Sequence, residues 1–332
     1  MSCLLFRETK EKLKNLYLRA NNRKRNMKPV LFVLAAGMGS RYGGLKQLDG
    51  VGPNGETIMD YSLHDAIAAG FGKVVFVIRR SFEKEFKEKI LSKYESQIDT
   101  EVVFQEVDSL PTGYVPNEER VRPWGTGHAV LMGMNAIKAP FAVINSDDFY
   151  GKESFEILAK FLKEADGKVG QYCMVGYRIE NTLSESGTVN RGVCMVDAEG
   201  HLMSIKECEK IGVEGGKIVY ADENGEKKVI ANGTHVSMNM WGFTLDYFEH
   251  SKRMFIDFLN QEENLKGLKS EFYIPTVVNS LIQSGEASVK VLDTPSKWMG
   301  VTYAEDKQSV MNKIETMVKE GQYPNRLSFN KN

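Results

Sequence analysis

The residues best suited to chemistry in this 332-residue chain fall into two short stretches. Residues 30–48, VLFVLAAGMGSRYGGLKQL, pass from an apolar, strand-like run into a glycine-rich turn carrying Arg41 and, five positions on, Lys46. Glycines let backbone N–H groups close on an anion, and a guanidinium with a neighbouring ammonium supplies the positive charge that phosphate needs. In FAVINSDDFYG, a second apolar run ends in two adjacent acids, Asp147 and Asp148. Acids at the carboxyl edge of a parallel sheet stand where α/β proteins place ligands. Both stretches speak for the handling of phosphate groups.

Two common phosphate cradles fail on named positions. A dinucleotide-binding turn needs G-x-G-x-x-G; Gly37 and Gly39 fit, but the third place falls on Tyr42. The following strand, KVVFVIRR, ends in arginines where a ribose-binding acid belongs. A P-loop needs G-x-x-x-x-G-K-[ST]; Gly39 and Gly44 have the spacing, but Leu45, Lys46 and Gln47 follow.

The elements that must position these residues alternate from Met27 onward. Short β-branched runs (VLFVLAA, KVVFVIRR, EVVFQEV, FAVINSD) are separated by helix-period segments such as ETIMDYSLHDAIAAGF, SFEKEFKEKILSKYE and GTGHAVLMGMNAI. That rhythm predicts an α/β fold with a mostly parallel or mixed central sheet flanked by helices. After about residue 150, QYCMVGYRIE, RGVCMVDAEGHLMSIKE and KKVIANGTHVSMNMWGF read as hairpin strands, with AEG and DENGEK as turns. Helices return at DYFEHSKRMFIDFLN, YIPTVVNSLIQSG and YAEDKQSVMNKIETMVKE. The expected organisation is one domain over 27–320 in two halves, 27–150 and 151–320.

Composition narrows the partners. A formal net charge of −1 gives no basic surface for nucleic acid, and no run approaches the ~18 apolar residues of a membrane helix. Cys3, Cys173, Cys194 and Cys208 are far apart, with no CxxC pair, as suits buried thiols in a reducing cytoplasm. Residues 1–26 hold eight Lys/Arg against two Glu, without the long apolar core or small-residue cleavage site of a secretory signal. They read as a dispensable basic leader, or Met27 as the start.

LAAGMGSRYGGLKQL resembles the signature loop of the nucleotidylyltransferases, L-A-x-G-x-G-[ST]-R followed by a Lys. It lacks the Pro that often precedes that Lys, and its Arg-to-Lys interval is shorter than in most sugar enzymes. The resemblance runs through most of residues 28–310. It implies a nucleotide triphosphate held by the backbone at Ala36, Gly37 and Gly39, with Arg41 forking across the β/γ oxygens and Lys46 meeting charge at the α-phosphate. It places Gln105, Gly125 and Thr126 against the base, and the polar loop 108–123 over the nucleotide as a lid. His128, at a helix start beside a glycine, reads as a packed wall residue. Asp147, with Asp148 as the alternative register, would hold Mg²⁺. On the acceptor side the resemblance implies Gly187, Glu207 and Asn239, although Cys208 stands where the family's Lys follows that Glu. The C-terminal stretch SKWMGVTYAEDKQ has Lys297 and Trp298 where many relatives carry a second metal-binding Asp. Either one carboxylate holds the ion, with Asp293 too far upstream unless the loop folds back, or Lys297 takes part of that work at the acceptor phosphate. Asp306 reads as a helix cap. The implied activity is transfer of a nucleoside monophosphate from an NTP to a sugar 1-phosphate. An alcohol-phosphate cytidylyltransferase, acting for example on phosphocholine, is the alternative. A non-catalytic nucleotide-binding regulator is the reading from another class. Oligomeric state is not legible.

Overall fold

The computed structural model describes residues 27–37, 50–301 and 306–327. Residues 1–26 and the turn holding Gly39, Arg41 and Lys46 lie outside the described residues.

Strand β1 (Val30–Leu34) is buried on both sides, with Leu31 and Val33 facing one apolar cluster and Val30 and Phe32 the other. Such two-sided burial is what an uninterrupted apolar run encodes. β1 pairs in parallel with β2 (Lys73–Ile78) and β4 (Phe141–Asn145), and β2 with β3 (Asp99–Phe104). On the first face lie α1 (Ile58–Ala69), the helical run α2 (80–94) and, later in the chain, α4 (Lys152–Ala165), which insert Leu63, Phe86 and Phe155. The opposite face is covered by α3 (Thr126–Leu131) and two helices from the second half, α5 (Tyr247–Asn260) and α7 (Ile274–Ser284); α6 (Glu262–Lys266) is a short turn between them.

The second half adds an antiparallel arm. β6 (Gln171–Arg178) pairs with β11 (His235–Phe243) and in parallel with β12 (Ser288–Asp293). β7 (Val189–Val196), β8 (Leu202–Glu214), β9 (Lys217–Ala221) and β10 (Lys227–Ile230) follow one another as antiparallel neighbours. The sheet of eleven strands among the described residues is therefore mixed: parallel through β3-β2-β1-β4 and between β6 and β12, antiparallel from β4 to β11 and through β7-β8-β9-β10. A two-stranded ribbon, β5 (Asp148–Phe149) with β13 (Met299–Gly300), joins the tip of β4 to the C-terminal segment. Helix α8 (Asp306–Lys319) packs there in a third cluster with Tyr61, Phe149 and Tyr323.

Several elements differ from expectation. GTGHAVLMGMNAI yields only the six residues of α3 before it loosens into turns. KKVIANGTHVSMNMWGF splits into two strands, β10 and β11, about a turn at 231–234. β9 and β12 carry no strand signal in the sequence pattern: both are short, and Lys290 interrupts the apolar run of β12. The α2 run is not continuous α-helix: Lys87–Leu91 is a π turn.

Candidate active site

Four parallel strands end nearly flush, and their ladders extend by one bond each. Ala35 donates its N–H to Val77 O (3.0 Å), Gln105 to Ile78 O (2.9 Å) and Ser146 to Leu34 O (3.2 Å). This carries Ala36, Gly37, Gln105 and Asp147 to one edge, where with Gly125 and Thr126 they line a cavity of ≈ 690 Å³.

Gln105, 3% exposed, is oriented from behind. Its Nε2 donates to Gly125 O (3.0 Å) and to His128 Nδ1 (3.1 Å). His128 Nε2 sits 2.7 Å from Ser109 O, a carbonyl, so that nitrogen carries the proton. Burial depresses the His128 pKa to about 4, so the ring is neutral and Nδ1 is an acceptor. Both neighbours of the Gln105 amide thus demand a donor, which assigns its NH₂ to the wall and leaves Oε1 as its remaining polar atom. His128 itself stacks on Phe255 (centroids 4.8 Å apart, 29° between planes), a wall residue as its position suggested.

Gly125 has φ +92°, and a Cβ there would lie 2.6 Å from Phe272 O. Only glycine fits, because the chain knits tightly here: Phe272 N–H donates to Trp124 O (2.7 Å) and Gly127 N–H to Phe272 O (2.9 Å). The Gly127 amide is therefore engaged, while the Thr126 hydroxyl accepts from Ile274 N–H (3.1 Å). The 108–123 loop, expected as a lid, is pinned instead. Arg120 is buried, lies 3.6 Å over the Trp124 ring and donates to the carbonyls of Arg122, Pro123, Gly267 and Ser270. Val121, Arg122 and Pro123 consequently form a side of the cavity.

A second cavity of ≈ 310 Å³ adjoins the first, and Asn145 and Asp147 line both. Its wall is a hydrogen-bonded chain. Asn239 Nδ2 donates to Asn145 Oδ1 (2.7 Å), and Asn145 Nδ2 donates to Asp148 Oδ2 (2.8 Å). Tyr150 OH lies 3.2 Å from the same Asp148 oxygen and 3.1 Å from Met238 O. Asn239 reaches this position through a register shift in β11 between Ser237 and Trp241, where it adopts φ +59°. Bulges of this kind re-aim a side chain beside functional sites. The two acids differ: Asp147 is exposed, whereas burial and the Asp147 charge push Asp148 up to about 7.

Arg191, 7% exposed, closes the far wall; nothing in the sequence reading singled it out. A cation sharing the buried side of β7 with Val189 was the available signal. Trp298 separates this cavity from a third of ≈ 880 Å³, lining both. Gly187 and Lys297 line the third cavity and not the one holding the acids. Glu207 lines none of the three; it is paired with Gly192 across β7–β8, close enough to Arg191 for the guanidinium to counter the burial that raises its pKa. Of the acceptor-side set, only Asn239 shares a cavity with Asp147 and Asp148. Asp293 is committed elsewhere, to Arg178 (3.0 Å) and His235 (3.0 Å), and Asp306 opens α8, accepting from Ser184 (2.8 Å). Among the described residues, three metal-capable side chains also converge at Asp197, Glu199 and His201. Asp197 there already accepts from the Glu199 and His201 amides as part of the β7–β8 turn.

No curated protein matches the chain. Among solved structures, the inositol-1-phosphate CTP transferase from T. maritima is similar at 14% identity and a TM-score of 0.55, over 87% of this chain and 96% of that one. A UDP-glucose pyrophosphorylase complexed with UDP-glucose is similar at 17% identity and a TM-score of 0.54, over 87% and 99%. At such identities the likeness is one of fold, that of the GT-A-like nucleotidyltransferases. The nucleotidyl transferase family profile matches residues 31–207, more than half of the chain. The chain belongs to the nucleotidyl transferase family.

Proposed function

We propose that this enzyme transfers a nucleoside monophosphate from an NTP to a sugar 1-phosphate and releases pyrophosphate. The observation that carries this reading is the pair of adjoining cavities with Asn145 and Asp147 at their junction. A two-substrate transfer needs two compartments meeting at the reacting phosphorus. The larger would take the nucleotide, with Gln105, Gly125 and Thr126 at the base and Ala36, Gly37 and Gly39 along the phosphates. The smaller would take the acceptor's phosphate end. The neighbouring cavity with Gly187 and Lys297 offers room for the rest of the acceptor beyond Trp298.

An acceptor phosphate oxygen attacks the α-phosphorus in line; one P–O bond forms, the bond to the β-phosphate oxygen breaks, and pyrophosphate departs. The nucleophile is already anionic, so positioning and charge neutralisation carry the step without a general base. Arg41 holds the leaving pyrophosphate and Lys46 the charge that gathers at the α-phosphorus. The donors at the junction are hard oxygens, which suit Mg²⁺. Asp147, assisted by Asp148, would hold it, and the ion would neutralise phosphate oxygens during transfer. Residues 27–320 would act as one unit in the cytoplasm. No helix among the described residues is long and apolar enough to cross a membrane, and Cys173, Cys194 and Cys208 are buried free thiols, in keeping with a reducing compartment.

An alcohol-phosphate acceptor with CTP is the second reading, favoured by the short Arg41-to-Lys46 interval and the VTYAED ending. A matrix of NTPs against sugar 1-phosphates and alcohol phosphates, read by pyrophosphate release, decides between them. Nucleotide binding with no pyrophosphate from any pair would leave only a regulatory binding protein.

A further inference from the structure

Arg191 presents an electrostatic imbalance. Its guanidinium is buried, yet among the described residues no carboxylate comes within ion-pair distance of it. Its three hydrogen bonds all go to neutral oxygens: Nε to Thr182 Oγ1 (3.2 Å), Nη1 to Asn190 O (2.9 Å) and Nη2 to Thr182 O. Five N–H donors less three leaves one on each terminal nitrogen. The acids nearest it, Asp148 and Glu207, act on it through space from beyond ion-pair distance. Trp298 backs the group, its ring centroid 4.7 Å from the guanidinium carbon. Its indole N–H is turned toward the Asp148 carboxyl, without a hydrogen bond of normal geometry. A buried cation with no partner is costly, whereas the same cation with a dianion on its fork is strongly favoured.

We propose that Arg191 is the seat of the acceptor's phosphate: a phosphate monoester dianion enters the smaller cavity and takes the two free guanidinium N–H groups on its non-attacking oxygens. The remaining oxygen is then left for the Asp147 junction, which lines the same cavity. The inference rests on the two-compartment reading above, and it names the residue that receives the phosphate there. It also explains why a family member with Cys208 in place of the usual lysine still has a cation on the acceptor side.

The test uses inorganic phosphate as probe, against sodium chloride at matched ionic strength, on the full chain. Phosphate is expected to raise the melting temperature saturably and to change tryptophan fluorescence. Most of the fluorescence change should be lost in Trp298→Phe, because that ring backs the guanidinium. Arg191→Lys keeps the charge but loses the planar fork, and should weaken phosphate roughly tenfold or more. Lys46→Ala should leave this response in place. In wild-type protein, a phosphate response that chloride reproduces overturns the proposal even where no Arg191 variant folds. So does a response lost in Lys46→Ala and kept in Arg191→Lys, because the anion then sits in the nucleotide cradle. With a turning-over substrate pair, Arg191→Lys should raise the acceptor KM by about the same factor and leave the NTP KM within roughly twofold. An unchanged acceptor KM refutes the assignment. Absence of turnover with every pair refutes the enzymatic reading instead, and the phosphate titration still decides on Arg191.

Discussion

Acid should destabilise this protein through His128 before it reaches most carboxylates. The unfolded imidazole takes up a proton near pH 6.5, the buried one only near about 4. Between these values the unfolded state binds the proton and the folded state refuses it, so stability falls as pH falls. Each pH unit of that gap costs about 1.4 kcal/mol, giving a limiting loss of about 3 kcal/mol. The assay is urea unfolding of wild type and His128→Gln between about pH 7.5 and about pH 4.5. Glutamine can still donate to Ser109 O but has no proton to gain, so the variant should lack most of that extra decline, whatever its starting stability. A functional sign should come first: a proton on Nδ1 confronts the Gln105 NH₂ donor, which should raise the nucleotide KM before unfolding begins. Parallel stability curves for the two proteins would refute both the neutral ring and the amide orientation that follows from it.

Other outcomes test the site piece by piece. Asp147→Asn should abolish Mg²⁺-dependent turnover and Asp148→Asn should be milder, with melting curves confirming that both fold; the reverse ranking would shift the metal register by one residue. Lys46→Ala should lower kcat and kcat/KM together, by ~10²-fold or more, whereas Arg41→Ala should also raise the nucleotide KM; a near-normal kcat for Lys46→Ala would reduce that lysine to a solvated charge. Gly125→Ala forces both a left-handed alanine and a contact with Phe272 O, and should cost about 2–4 kcal/mol in denaturant unfolding.

How much of this was legible depended on whether a signal was local. The β1 and β4 runs and the acids behind β4 announce themselves, because two-sided burial and a strand-tip carboxylate are written in consecutive residues. Gln105, Gly125 and Thr126 were found through a family pattern and do meet in one cavity. What holds Gln105, by contrast, is a relay through His128 to Ser109 that no spacing rule encodes. Arg191 escaped notice because its role depends on burial and on the absence of a carboxylate partner. The split of Gly187 and Lys297 from Asn239 follows from the ring of Trp298, which fits because Gly300 has no side chain in its way. The Arg120 anchor likewise joins segments nearly 150 positions apart.

β11 is a junction of unequal seams. Its pairing with β6 runs from His235 to Gly242, but its pairing with β7 amounts to Val236 with Val193 and Ser237 with Gly192. The β7–β10 arm thus meets β11 over a short backbone seam and is tied again to β12, where His201 bridges Lys290 and Val291 N–H donates to Gly200 O (2.9 Å); Arg191 and Glu207 ride on the arm while Asp147 belongs to the parallel core. Cooperative units of folding tend to follow such seams. The walls of the smaller cavity therefore draw on two reservoirs of protection, so amide exchange there will be graded, slow at the β4 tip and faster across the arm. If the smaller cavity takes the acceptor, warming is expected to raise the acceptor KM before the nucleotide KM.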